Sequence, residues 1–150
     1  INMTNWCENS LNITGPSDVI DEFVKIARIV KPIPCDINNK INIQEDEEVL
    51  NFNSLYPIPS NIIDLADSYD WEVKNWGCKW GACESKIYEN SDNEVEYEFL
   101  TPWAPPRNFL IKVSRDFPEL KFRLEYEEPL MGFGGIIKFQ NGKVIYEKFD

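Results

Sequence analysis

Apolar and polar residues alternate over residues 5–14, with Cys7, Leu11 and Ile13 on one side and Trp6, Glu8, Ser10 and Asn12 on the other. A period of two is that of a half-buried strand. Gly15-Pro16 ends it, and from Ser17 the period lengthens: Ile20, Phe23, Ala27 and Val30 fall at helical spacing, with Asp18, Asp21 and Glu22 near the positive end of the helix dipole. The pattern predicts a helix through about Val30, capped by Ser17 and stopped by Pro32 and Pro34. Residues 35–48 are polar, rich in Asn and finish in Glu45-Asp46-Glu47-Glu48, so they read as a loop or insertion with a solvated face. A short strand is expected over 49–55, closed by Pro57-Ile58-Pro59, and then a helix capped by Ser60 across Ile62, Ile63, Leu65, Ala66 and Tyr69.

In the second half, strands are predicted over 83–88 and 95–100, joined by the turn-forming cluster at 89–93. The second of them sets Val95, Tyr97 and Phe99 against Glu94, Glu96 and Glu98, one face for the core and one acidic and wet. The proline-rich segment 101–106 opens a third helix with Leu110, Val113 and Phe117 inward. A strand over 121–126 faces Phe122, Leu124 and Tyr126 inward, and segments 133–139 and 144–149 flank Asn141-Gly142, a strong hairpin signal. The order of elements predicts a single α+β domain over residues 1–150, with a polar insertion at about 35–48. Its antiparallel sheet would carry helices on one face, a ferredoxin-like split β-α-β core with a C-terminal β-hairpin.

Composition narrows the functional classes. Fifteen basic residues against 26 acidic ones give a net charge of −11. Nucleic-acid affinity rests on neutralising phosphates, so direct binding of DNA or RNA is not expected, and a basic partner is. No apolar run approaches the roughly 20 residues that span a bilayer, so no membrane association is expected. Met3 reads as the initiator, and the first residues lack the basic-then-apolar order of a secretory leader, so a cytoplasmic location is expected. Histidine is absent, which removes Ser-His and Cys-His nucleophile pairs and imidazole metal ligands; no catalytic residue is nominated. Cys7, Cys35, Cys78 and Cys83 match neither a paired Cys-x-x-Cys zinc site nor an iron–sulfur run, so free thiols are expected, with no metal or cofactor.

The residues with the most chemistry lie in and after the stretch 70–82. Trp76, Lys79 and Trp80 read either as a pocket wall, with a cation and stacking faces, or as a core cap bent at Gly77 and Gly81. Trp103 has the same two readings within its proline-rich turn. Glu128 shares the inward face of Phe122, Leu124 and Tyr126, so it is expected to be partly buried, pairing with Lys79 or capping a backbone group. A ligand pocket would draw together Trp76, Lys79, Trp80, Trp103, Tyr126 and Glu128. Glu94, Glu96 and Glu98 are the candidate acidic surface. Cys78 and Cys83 would be redox-active if Lys79 lowered a thiol pKa.

Five short motifs follow in order: Asn5-Trp6-Cys7-Glu8-Asn9; Trp76-Gly77-x-Lys79-Trp80; Thr101-x-Trp103-x-Pro105-Pro106; Phe117-Pro118; and Tyr126-Glu127-Glu128 before Phe133-x-Gly135. Together they resemble the ferredoxin-like domain family of phage and plasmid proteins, the YubB or Api-like group. The resemblance implies a ferredoxin-like fold without an iron–sulfur cluster, in a protein of mobile elements or their bacterial hosts, and no defined activity. The expected function is therefore a non-enzymatic interaction protein that engages a basic host protein through an acidic and aromatic surface, with imitation of nucleic-acid charge as one form. A small-molecule-binding domain or enzyme with the Trp/Lys/Glu-lined pocket is the alternative.

Overall fold

The computed structural model describes residues 5–37 and 40–149, and for 31–46 the backbone alone. The first alternating segment forms β1 (Trp6–Thr14), with Cys7, Asn9, Leu11 and Ile13 buried. After it come α1 (Ser17–Ala27), β2 (Ile29–Ile37), β3 (Lys40–Glu48), α2 (Phe52–Leu55), α3 (Leu65–Trp76), β4 (Cys83–Ser91) and β5 (Glu94–Pro102). The chain closes with α4 (Arg107–Asp116), β6 (Lys121–Glu128), β7 (Phe133–Gln140) and β8 (Lys143–Phe149). Six strands make one antiparallel sheet in the order β4-β5-β1-β6-β7-β8. β1 and β4 flank β5, and β5 and β6 flank β1, so each connection through α1 or α4 skips one strand. That is the split β-α-β topology the element order predicts.

Helices α1, α2 and α4 pack on one face of the sheet. Phe23 of α1 meets Tyr97, Phe117 and Phe122 edge-on with centroids 5.2–6.1 Å apart. Phe52 of α2 stacks on Phe109 of α4 at 3.7 Å and 6°, and meets Phe99 of β5 at 6.1 Å. Burying each such ring stabilises the fold by roughly 1.5–3 kcal/mol. The opposite face, built from Trp6, Glu8, Ser10 and Asn12 and their neighbours across the strands, carries no helix among the described residues.

Five local expectations change. Ser17 is the first residue of α1 and makes no side-chain cap; Pro16 stands at the N-cap. The helix stops at Ala27 because residues 29–37 pair with β3, and Val30, at helical spacing, is left exposed. The polar stretch 35–48 is thus mostly strand: β2 and β3 form a separate two-stranded ribbon, paired antiparallel from Ile29 opposite Glu48 to Ile37 opposite Lys40. Pro32 and Pro34 stand within β2, opposite Glu45 and Ile43 of β3. The strand expected over 49–55 is instead buried loop and one helical turn, capped where the Asn51 side chain accepts the Ser54 N–H at 2.8 Å. The following helix is capped by Asp64, which accepts the Ala66 N–H at 2.8 Å, not by Ser60, and it runs on to Trp76. It ends at Gly77, whose φ is +88° and whose missing Cβ would lie 3.2 Å from the Arg107 nitrogen.

Candidate functional site: the open sheet face

Helix α3 and the top of the sheet place the six pocket candidates in different surroundings. Trp76 is buried, donating from Nε1 to the Tyr56 carbonyl at 3.0 Å and meeting Phe52 and Trp71 edge-on. Tyr126 is buried on β6 and borders the open face. Glu128 is wholly buried: Oε2 accepts the Met131 N–H, closing the turn after β6, while Oε1 has no hydrogen-bond partner among the described residues. No ion pair joins Glu128 to Lys79 among the described residues. Lys79 instead lies over Trp80, 4.6 Å from the ring centroid, and over Tyr69 at 5.8 Å. Trp80 also meets Trp6 of the open face at 6.3 Å. Trp103 is 52% exposed, at the far end of β5. The structure therefore brings Lys79 and Trp80 together with Trp6 and Tyr69, and separates them from Trp76 and Glu128.

Backbone strain gathers at this end of the sheet. Among the described residues four without glycine's freedom have positive φ: Trp80 (72°), Glu84 (50°), Trp103 (69°) and Asn141 (50°). Asn141 belongs to the hairpin turn, where that conformation is ordinary. Bulky Trp80 and Trp103 pay about 1–3 kcal/mol each to adopt it. Both are held by hydrogen bonds to the amide: Trp80 N–H reaches Oε1 of buried Glu72 at 3.1 Å, and Trp103 N–H reaches the Asn5 carbonyl at 2.8 Å. Burial pushes the Glu72 carboxyl above its ordinary pKa, against the lowering effect of the Trp80 N–H and the Ser68 hydroxyl.

The open face itself is a shallow groove of about 940 Å³ across β4, β5, β1, β6 and β7. Its charged lining is Glu8, Glu84, Glu98, Glu125 and Glu127 against the single base Lys86. Pairing explains the concentration: Glu8 stands directly opposite Glu127, and Ser10 lies between Glu98 and Glu125. Side chains two residues apart on one strand are spaced about 7 Å, so Glu94, Glu96 and Glu98 form an uninterrupted row on β5. Glu96 accepts from the Ser10 hydroxyl at 3.2 Å, and Glu98 from Tyr88 at 3.4 Å. The row on β6 is broken: Arg123 pairs with Glu125 at 3.4 Å, and Lys121 follows at its start. Negative charge thus concentrates where β1 begins and β5 and β6 end. Sequence reasoning found the β5 row but did not join it to Glu8, Glu84 and Glu125, because only strand order puts them side by side.

Cys7 and Cys78 are buried and Cys83 is partly buried. Burial pushes Cys7 up to about 12 and raises Cys78 and Cys83 as well. Desolvation keeps all three protonated near neutral pH, which counts against activation of Cys78 or Cys83 by Lys79. Cys35 lies outside the described side chains. No group of three or more metal-binding side chains occurs among the described residues, and no helix among them is long and apolar enough to cross a membrane.

A split β-α-β sheet with one bare, carboxylate-lined face defines a ferredoxin-like α+β protein. Residues 82–150 match the family described as "Ferredoxin-like domain in Api92-like protein". The chain is 30% identical over 118 residues, 75% of each chain, to the "Uncharacterized protein YubB" of Escherichia coli strain K12. The crystal structure of api92 from Yersinia pseudotuberculosis superposes with a TM-score of 0.73 at 12% identity, covering 97% of this chain and 98% of that one. The chain belongs to the YubB and Api92-like family of ferredoxin-like proteins.

Proposed function

We propose that this protein is a non-enzymatic interaction module that docks a basic segment of a partner protein on its open sheet face. The observation that carries the reading is the groove itself: five carboxylates and one lysine line a sheet face that no helix among the described residues covers. A field of one sign over a concave surface raises the local concentration of the opposite charge and speeds association. The same carboxylates oppose a nucleic-acid strand on that face. Imitation of a duplex would call for unbroken rows on both sides of β1, and the β6 row gives way to Arg123 and Lys121, so a basic segment at the acidic end is the form carried forward. The resemblance of the sequence to phage and plasmid proteins supports a cytoplasmic host protein as the partner.

The test is affinity capture from bacterial lysate with the wild type and with the E98Q/E125Q/E127Q variant as baits. A protein carrying a Lys/Arg-rich segment should be retained at about 50 mM salt, released at about 500 mM, and not retained by the variant. Equal retention by both baits, or none by the wild type, would overturn the reading.

A further inference from the structure

We infer that the segment docked on the open face is amphipathic, with an apolar side chain seated on Leu100 and basic residues flanking it. The inference deepens the docking reading above and rests on it. Strand register places Leu100 among the carboxylates. It stands directly opposite Glu8 of β1, Glu8 stands opposite Glu127 of β6, and Glu127 stands opposite Gly134 of β7. All four line the groove, and residues opposite one another on antiparallel strands share a face. One row across the sheet therefore reads Leu100, Glu8, Glu127, Gly134, at about 5 Å per strand. The neighbouring row, about 7 Å along the strands, reads Lys86, Glu98, Ser10, Glu125 and also lines the groove.

Leu100 breaks the pattern of its own strand. The open-face positions before it on β5 are Glu94, Glu96 and Glu98, and the polar alternation gives way at a leucine that is partly buried. The next pair on that face is Trp6 with Pro102, so the acidic end of the groove adjoins apolar side chains. At the other end of the row β7 contributes no side chain, because a Cβ on Gly134 would lie 2.9 Å from the Tyr126 carbonyl oxygen. The row thus offers an apolar seat beside two carboxylates. A purely basic segment neutralises Glu8 and Glu127 but sets a hydrated charge or nothing at all against Leu100. A purely apolar segment covers Leu100 and takes the carboxylates out of water without partners, which is costly. A segment that carries both kinds of side chain satisfies the whole row.

The experiment compares two fluorescein-labelled peptides of equal length and charge, KKLKKLKKL and KKGKKGKKG, by fluorescence anisotropy against wild type, L100T and E125Q/E127Q. Threonine is a good strand former, so L100T should fold, which circular dichroism checks; L100V, apolar but shorter, takes its place if it does not, and should lose part of the preference. Wild type should bind the leucine peptide about three- to tenfold more tightly, less than full burial of a leucine would give. L100T should lose that preference and bind the glycine peptide as wild type does. E125Q/E127Q should weaken both peptides alike and leave the ratio unchanged. Equal binding of the two peptides by wild type, or an unchanged preference in the Leu100 variant, would overturn the amphipathic inference and leave the acidic-face reading standing. No binding of either peptide at low salt would overturn both.

Discussion

Glu72 shows how one buried side chain sets the geometry of an exposed one. It is 5% exposed, yet its carboxylate holds the Trp80 amide at 3.1 Å and the Ser68 hydroxyl at 3.5 Å. Burial raises its pKa in the folded protein above the ordinary carboxyl value. A carboxyl raised on folding binds more protons folded than unfolded, so its share of stability is fully present below the unfolded pKa and is lost as pH rises through the folded one. Replacement by glutamine keeps an acceptor for Trp80 and removes the buried charge. E72Q should therefore be at least as stable as wild type at neutral pH, and its advantage should vanish at acid pH; urea unfolding at both pH values checks this. E72A leaves the Trp80 N–H without its partner and should lose about 1–3 kcal/mol. An E72Q protein less stable than wild type at neutral pH would show that the ionised carboxylate itself holds the loop.

At the scale of elements, the turn α2 is four residues long and holds its place through Phe52. That ring stacks on Phe109 and meets Trp76 and Phe99 edge-on, joining α2, α4, α3 and β5. F52A should cost about 3–5 kcal/mol in urea unfolding, the range for a buried aromatic truncated to alanine. A cost under about 1 kcal/mol would mean that the cluster closes over the gap. The same turn marks where sequence was least legible. Val49, Leu50, Phe52 and Leu55 are apolar enough for a buried strand, and over so short a run periodicity does not separate strand from buried helix. What decided it was the Asn51 cap and a stacking partner 57 positions away. β1, β5 and β6 were legible because one face is core and the other wet, which imposes strict alternation, and the last hairpin because Asn141-Gly142 marks its turn. The ribbon β2–β3 was not: Pro32 and Pro34 read as helix stops, and the polar, Asn-rich stretch 35–48 reads as a loop.

For the whole molecule, the acidic site was half legible. Alternation puts Glu94, Glu96 and Glu98 on the wet side of β5 and Glu125 and Glu127 on that of β6. Their meeting with Glu8 is a matter of strand order, which no local pattern states. That order has an energetic consequence, because Glu8 lies directly across from Glu127 in a chain with a net charge of −11. Like charges directly opposite on antiparallel strands destabilise a sheet by roughly 0.2–1 kcal/mol. E127Q should therefore raise stability by about 0.5 kcal/mol at low ionic strength, with a gain that shrinks in high salt as screening removes the repulsion. Cations from a partner relieve the same repulsion. A saturating arginine-rich peptide should accordingly raise the melting temperature of wild type by more than that of E127Q, which differential scanning fluorimetry reads directly. If E127Q is destabilised at low salt, the two carboxylates are not in conflict, and the bare face does not hold charge in reserve for a partner.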